Sequence, residues 1–309
     1  MEATEIYTVG TVQGCYASKW GTYRATIYYP ALLSGKNAPP DSASAPYAAV
    51  VFAHGFGVNK ALYRWVGKRL ASRGYVAVLF SAPSPMSSQI DQWSDGISCG
   101  ITYLNELSFS ESSVLRGMVD STRIGAMGHS MGGAGAILAT ARDFRIKALV
   151  ALAPAYSRIG WFVFAKVLDA AKTIRVPVQI QVGSKDGLAP KDVARRYYVN
   201  LPGLAGKEYV EIKDGGHIQF TDSWCVLLSI LDPRAKLTAD RQHEISGLFF
   251  TAWFQYFLHE KVSSETYVFG ARAQNALASN RLSVLEWVKP LGSHKEKIGS
   301  RDVDRNLTA

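Results

Sequence analysis

Short runs of apolar residues recur along the chain, and stretches with helical periodicity separate several of them. Ala48–Ala53 is the first such run and Tyr75–Phe80 the second. The others are Arg123–Met127, Ile146–Leu152, Val178–Val182 and Glu208–Ile212. Runs this short are typical of strands in a parallel sheet that is covered on both faces. Strands alternating with helices predict an α/β fold with a mainly parallel central sheet and helices on both faces.

Four helical patterns occupy the segments between the runs. They cover Leu62–Ser72, Ile90–Leu107, Ala134–Ala141 and Asp192–Tyr198, and Gly74 follows the first as a C-cap. An earlier strand, Thr22–Tyr29, ends at Pro30. We expect residues 1–289 to form one α/β domain and the polar residues 290–309, which lack an apolar face, to form a loose tail.

The balance of charge narrows the range of partners. The net charge is +9, which would suit nucleic acid or an anionic membrane if the basic residues were clustered. They are scattered instead, and no nucleic-acid motif accompanies them, so we expect a solvated basic surface and no nucleic-acid partner. The nearly apolar stretches Gly160–Leu168 and Gly247–Leu258 are too short to span a bilayer. The oligomeric state is open, with a monomer as the expectation.

Cysteine usage and the chain start leave the compartment open. Cys15, Cys99 and Cys225 are far apart, and three cannot all pair within one chain, so we expect buried, inert thiols. The start, MEATEIYTVG, has no basic segment followed by an apolar run and thus no signal-peptide pattern. A secreted mature form and a cytoplasmic protein would look alike here.

The segment Gly128–Gly132 (GHSMG) fits the G-x-S-x-G nucleophile elbow. Its context is the one that such an elbow requires, because an apolar run precedes it and a helical pattern rich in small residues follows. Small residues two positions either side of Ser130 allow the strand and the helix to pass close together. Ser130 is therefore the candidate nucleophile.

A serine hydroxyl needs a base that is itself oriented by a third group. Asp186 follows the Val178–Val182 run at the place where the acid should emerge, and Asp192, Asp214 and Asp222 fit less well. His217 is the histidine that lies beyond the acid at a strand end. The alternative interpretations are a turn aspartate that caps the next helix and a structural loop histidine.

Two backbone donors are needed for the oxyanion. The N–H of Met131 follows the serine directly, and Phe56 in the His54–Gly57 turn (HGFG) is the best choice for the second. The same turn could be only a tight connection. The sequence contains no metal-ligand spacing and no phosphate-binding loop, so we expect neither a metal nor a cofactor.

Several segments resemble the bacterial cutinases and polyester hydrolases (PET hydrolase-like), a branch of the α/β-hydrolases related to dienelactone hydrolases. Besides the elbow, the HGFG turn and the His217 turn, they are TIYYP (Thr26–Pro30), VGKRLASRGYVAV (Val66–Val78), IKALVALAP (Ile146–Pro154), VGSKDGLAP (Val182–Pro190) and AWFQYFL (Ala252–Leu258). The resemblance implies an α/β-hydrolase fold and an open, lidless site that cleaves esters through an acyl-enzyme without a cofactor. It also implies that Phe56 and Met131 line an apolar acyl cleft.

The chain departs from this family at the substrate site. Ala155 and then Tyr156 stand where the family carries a tryptophan after the proline, so Tyr156 or Trp161 would have to replace that aromatic contact. Residues 156–173 are longer than the family's link and strongly apolar, which fits either a partial lid or a helix packed on the sheet. Residues 222–246 are also longer, and the turn before His217 is one residue shorter.

Together these features predict a serine carboxylic ester hydrolase acting on short- to medium-chain esters and extending to polyesters. Two alternatives remain open at this stage. An amidase or peptidase-like hydrolase would use the same residues, and a non-catalytic protein of the same fold would bind an apolar ligand.

Overall fold

The computed structural model describes residues 7–154, 161–222, 232 and 234–291. Within them, ten strands form one sheet. The strands are β1 (Thr8–Ser18), β2 (Gly21–Ala31), β3 (Gly35–Lys36), β4 (Tyr47–Ala53), β5 (Tyr75–Ser81), β6 (Val119–His129), β7 (Ile146–Leu152), β8 (Val178–Gly183), β9 (Lys207–Ile212) and β10 (Leu282–Val288). Their order across the sheet is β10-β9-β8-β7-β6-β4-β5-β2-β1-β3.

The predicted parallel sheet is confirmed. Strands β4 to β9 pair in parallel with one another. Strand β2 joins β5 antiparallel, β1 joins β2 antiparallel, and β10 joins β9 antiparallel. Each predicted run lies inside an observed strand. The sequence analysis gave no bounds for β1 and β3, and it missed β10, whose residues are mostly half-buried at the sheet edge and therefore lack a continuous apolar run.

Helices cover both faces of the sheet, as predicted. They are α1 (Arg64–Ala71), α2 (Ile90–Phe109), α3 (Met131–Arg142), α4 (Trp161–Ala171), α5 (Lys191–Asn200), α6 (Ala239–Phe257), α7 (Glu265–Val268) and α8 (Ala271–Ala278). One buried cluster joins the sheet to α2, α3, α4 and α5, and a second joins it to α1, α6 and α8. The run in β4 is continuously apolar because alternate side chains enter opposite clusters. Val51 faces the first cluster and Val50 the second.

The apolar segment 156–173 contains helix α4. Phe164, Val167 and Ala171 are buried in the first cluster, so this part of the segment is a buried helix, which packs beside α3 and α5. Residues 155–160 lie outside the described residues.

The expectation of buried cysteines was wrong for Cys15. It is exposed on the same face of β1 as Gln13 and Ala17, because side chains alternate along a strand and the neighbouring Tyr16 takes the inward position. Cys99 on α2 is half-buried, and desolvation raises the pKa of its thiol. Cys225 lies outside the described residues.

A polar cluster is enclosed between β8, β9 and α6. Gln179 donates through Nε2 to Glu208 Oε2 at 2.5 Å and to the Phe249 carbonyl at 3.2 Å. Gln181 donates to Gln179 Oε1 at 2.7 Å and to the Ser246 carbonyl at 3.2 Å. The side chains of this cluster are fully buried. Desolvation raises the pKa of Glu208 well above its usual range, because burial disfavours the charged form of this carboxyl.

Replacement of Glu208 by glutamine should flatten the pH dependence of stability. In the unfolded chain a glutamate ionises near its ordinary pKa, so the stability that neutral Glu208 contributes is full below that pKa and is lost as the pH rises towards the folded value. The loss is about 1.4 kcal/mol per pH unit in that window. The free energy of unfolding, measured in urea from about pH 5 to about pH 8, should therefore fall less in Glu208→Gln than in the unmodified protein. Glu106→Gln, on the exposed side of α2, is the matched control. Equal pH slopes for Glu208→Gln and the unmodified protein would contradict the assignment of a neutral Glu208.

Candidate active site

Ser130 occupies the sharp turn between β6 and α3. Its backbone has φ 57° and ψ −121°, a conformation that L-residues rarely adopt. Two backbone hydrogen bonds hold it there. The Ser130 N–H donates to the Leu152 carbonyl at 2.9 Å, and the Ala134 N–H donates to the Ser130 carbonyl at 3.0 Å. The strain is therefore supported by β7 on one side and by the first turn of α3 on the other.

The two motif glycines are required by close backbone contacts. A Cβ atom at Gly128 would collide with the carbonyl of Gly132, and one at Gly132 would collide with the backbone of Ala53 and His54. The strand and the helix can cross at this separation only if both positions lack side chains. The G-x-S-x-G spacing is thus explained by packing around the turn.

The three side chains predicted as nucleophile, base and acid lie in one hydrogen-bonded chain. Ser130 Oγ is 2.9 Å from His217 Nε2, and His217 Nδ1 is 2.8 Å from Asp186 Oδ2. Nδ1 carries the proton that Asp186 accepts, which leaves Nε2 free to accept from the serine hydroxyl. All three residues are buried, so water competes little for these bonds.

Asp186 is held by the turn that follows it. Its Oδ1 accepts the N–H groups of Leu188 at 2.9 Å and Ala189 at 2.7 Å. This leaves Oδ2 directed at His217. A carboxylate that accepts several backbone N–H groups has little rotational freedom, so the turn itself orients the acid.

Backbone contacts fix the His217 turn against the Asp186 turn. Lys185 N–H donates to the Gly215 carbonyl at 2.8 Å, and Asp214 N–H donates to Ser184 Oγ at 2.9 Å. Gly183 is packed so closely on Gly215 that a Cβ atom there would collide with its backbone. The base and the acid therefore stand on turns that share hydrogen bonds.

The segment after His217 is anchored to α1. Asp222 accepts the N–H groups of Arg64 at 3.0 Å and Trp65 at 3.2 Å, so this carboxylate caps α1. Trp65 donates through Nε1 to the Phe220 carbonyl at 2.8 Å and stacks on His243 with ring centroids 4.0 Å apart. Desolvation lowers the pKa of His243 to about 4, so this ring is neutral near pH 7.

The two predicted oxyanion donors belong to segments that lie next to Ser130. Met131 is the first residue of α3, where a backbone N–H has no acceptor within the helix. The HGFG turn lies beside the serine, because a Cβ atom at Gly55 would be 3.3 Å from Ser130 Cβ. The Phe56 side chain is 45% exposed, whereas the Met131 side chain is 4% exposed and belongs to the core.

Buried aromatic side chains hold the HGFG turn. Gly55 N–H donates to the Tyr63 hydroxyl at 3.1 Å, and that hydroxyl lies 2.8 Å from His129 Nδ1. His54 Nε2 accepts from Ala82 N–H at 2.8 Å, so its proton is on Nδ1, which donates to the Gly55 carbonyl at 2.6 Å. Burial lowers the pKa of His54 to about 4, and burial beside His217 also lowers the pKa of His129.

The expected substrate contacts are described only in part. Ala155 and Tyr156 lie outside the described residues, and Trp161 is the first residue of α4. Two exposed apolar side chains near the site were missed by the sequence analysis. Leu188, two residues after Asp186, is 46% exposed, and Met86, which is 68% exposed, has its sulfur beside Gly57. The spacing from the acid was the one signal that could have indicated Leu188.

Two further properties concern the described residues only. No three of their His, Cys, Asp or Glu side chains cluster in a way that could hold a metal ion. None of the helices in these ranges has both the length and the apolar character that crossing a bilayer requires.

Several known proteins are similar to this chain in sequence. The chain is similar to Cutinase 2 of Thermobifida cellulosilytica, with 28% identity over 193 residues that cover 62% of this chain and 64% of the relative. Cutinase cut1 of Thermobifida fusca is 28% identical over 62% of this chain and 53% of its own length. The bis(hydroxyethyl) terephthalate hydrolase of Streptomyces coelicolor is 30% identical, again over 62% of this chain, and 54% of that protein is covered. The similarity thus spans less than two thirds of each relative.

The sequence pattern of one family, PET hydrolase-like, matches residues 2–231. That range includes the elbow, the Asp186 turn and the His217 turn, and it covers most of the sheet. The α/β-hydrolase fold that the resemblance implied agrees with the observed parallel sheet and its helices. The chain belongs to the PET hydrolase-like family.

Proposed function

We propose that the protein is a serine carboxylic ester hydrolase. The observation that supports this most directly is the chain of hydrogen bonds from Ser130 Oγ through the imidazole of His217 to Asp186. An elbow serine, a base that accepts its proton and a carboxylate that orients the base are the parts that acyl transfer requires. The names of the relatives, cutinase and bis(hydroxyethyl) terephthalate hydrolase, favour an ester as the substrate.

The reaction proceeds in two halves. Ser130 Oγ attacks the ester carbonyl while its proton moves to His217 Nε2, and the N–H groups of Phe56 and Met131 bind the resulting oxyanion. The intermediate collapses, the C–O bond to the alcohol breaks, and the alcohol leaves with the proton from His217. Water then attacks the acyl-enzyme, gives its proton to His217 and releases the acid, and Ser130 regains its proton. Asp186 stabilises the imidazolium in both halves. No cofactor enters the scheme.

The substrate class follows from the surface around the serine. Phe56 and Leu188 expose apolar side chains on the turns that carry the oxyanion donor and the acid, and the exposed Met86 lies beside Gly57 of the first turn. An ester with an apolar acyl or aromatic acid part would cover these side chains and remove them from water. We therefore assign short- to medium-chain esters as substrates and extend the assignment to polyesters, whose repeating units present the same chemistry.

Replacement of Ser130 by alanine should abolish turnover without affecting folding. The change removes the nucleophile, and such a loss lowers kcat by on the order of 10⁶-fold in serine hydrolases. Turnover is measured as the hydrolysis of p-nitrophenyl esters from acetate to palmitate. The reactivity of Ser130 is measured by covalent labelling with a fluorophosphonate. Matched p-nitroanilides distinguish an esterase from an amidase. Turnover retained by folded Ser130→Ala would contradict the assignment, and an unreactive unmodified protein would favour a binding function.

Replacement of Leu188 by alanine should weaken the preference for longer acyl chains. The smaller side chain leaves part of the acyl group in water, which should lower kcat/KM for hexanoate by about tenfold and for acetate much less. Leu204 is a matched control because it is equally exposed, at 45%, and precedes the amino-terminal end of β9, whereas the site lies beyond the carboxyl ends of the strands. An equal loss for both esters, or the same loss in Leu204→Ala, would argue against Leu188 as a substrate contact.

A further inference from the structure

Asp232 is a buried carboxylate that belongs to neither turn of the candidate triad. It is 1% exposed, and both of its oxygens accept backbone N–H groups from the site. Oδ1 accepts from Gly187 N–H at 2.9 Å, and Oδ2 accepts from His217 N–H. Gly187 directly follows the acid Asp186, so one side chain links the residue after the acid to the base itself.

Two glycines make room for this carboxylate. A Cβ atom at Gly187 would lie 3.0 Å from Asp232 Oδ1, and one at Gly216 would collide with Oδ2. Asp232 therefore packs directly on the backbone of both turns. Such close packing leaves its carboxylate a single arrangement relative to the acid and the base.

A second side chain holds the same turn from α6. Gln242 is fully buried, accepts Gly216 N–H through Oε1 at 2.9 Å and donates through Nε2 to the Gly216 carbonyl, also at 2.9 Å. Together, Asp232 and Gln242 bind three consecutive polar groups of the backbone, namely the N–H and the carbonyl of Gly216 and the N–H of His217. Both side chains lie within residues 222–246, the stretch that is longer here than in the family the chain resembles.

We propose that Asp232 is a positioning residue that sets the distance and angle between Asp186 and His217. Gln242 supports this arrangement by binding the Gly216 peptide. The proposal rests on the proposed ester hydrolysis, which uses these two residues as acid and base. Displacement of a reacting group by about 1 Å costs about 100-fold in rate. Besides the hydrogen bonds that join the two turns directly, Asp232 links the His217 turn to the Asp186 turn and Gln242 links it to α6. Their loss would let the imidazole move relative to Ser130.

The test compares Asp232→Ala and Asp232→Asn with Asp240→Asn, a control at an exposed position in the first turn of α6. Alanine removes both acceptors, and we expect kcat for p-nitrophenyl butyrate to fall about 100-fold while KM changes little. Asparagine keeps one acceptor oxygen, so the fall should be about tenfold. Labelling of Ser130 by a fluorophosphonate should slow in the same order, and Asp240→Asn should behave as the unmodified protein does.

A spectroscopic measurement separates positioning from general support of the fold. A His217 Nδ1 proton held by Asp186 resonates far downfield in the proton NMR spectrum. This signal should shift or broaden in Asp232→Ala and Asp232→Asn while circular dichroism stays unchanged. If Asp232→Ala does not fold, Asp232→Asn and Gln242→Met, which keeps the length of the side chain, give the same test. Unchanged kcat and an unchanged signal in the folded variants would overturn the proposal, as would a rise in KM at constant kcat.

The outcomes also separate this inference from the proposed function. If the unmodified protein hydrolyses esters and the Asp232 variants do so equally well, the function stands and the positioning role fails. If the unmodified protein hydrolyses no ester, the function fails. The NMR signal then still reports whether Asp232 controls the bond between His217 and Asp186, because it does not depend on turnover.

Discussion

The parallel register of β6, β7, β8 and β9 is the constraint on which the site depends. The candidate nucleophile, acid and base follow the carboxyl ends of β6, β8 and β9, with β7 between the first two. Gly183 of β8 pairs with Ile212 of β9, so the turns after these strands begin level with each other and can share hydrogen bonds. Parallel strands bring their carboxyl ends to one edge, which is where sites form in open α/β sheets. A slip of one residue would move His217 away from Asp186.

Helix α6 connects this edge to the interior of the sheet. Gln242, Ser246 and Phe249 are spaced along one face of the helix and meet, in order, the Gly216 peptide, Gln181 and Gln179. The same face therefore holds the His217 turn and closes the buried polar cluster around Glu208. Each of these bonds requires the helix to keep one position along β8 and β9. Each buried hydrogen bond has a specific geometry, so these contacts favour the observed packing arrangement.

The sequence predicted those parts of the fold and site that depend on local patterns. Ser130 and its glycines were identifiable because the elbow is contiguous, and Asp186 and His217 because each follows a strand in the right order. Asp232 and Gln242 were not, since their contacts join segments 15 to 45 residues apart in the chain and involve backbone groups that carry no sequence signal. The same holds for the cap that Asp222 provides to α1, across 158 residues.

The wrong expectation about Cys15 has a physical cause. Cys15 was expected to be buried because cysteine usually is, but its inward or outward direction depends on the register of β1 against β2. Met131, which the resemblance implies lines an acyl cleft, is 4% exposed and belongs to the core cluster, and its place at the cleft stays a prediction. Residue type predicts how often a side chain is buried, whereas strand pairing decides the direction in which Cys15 points.

Asp186 differs from two other described carboxylates of this region, Asp222 and Asp232, in the way that it is held. Asp222 uses both oxygens to accept N–H groups of α1, and Asp232 uses both to accept N–H groups of Gly187 and His217. Asp186 differs because Oδ1 alone accepts the N–H groups of its own turn, which leaves Oδ2 for the imidazole. Different contacts with the backbone thus give three chemically identical side chains different roles. Two fix the position of main-chain segments, and the third keeps one oxygen available to balance the charge that would form on His217 in the proposed reaction.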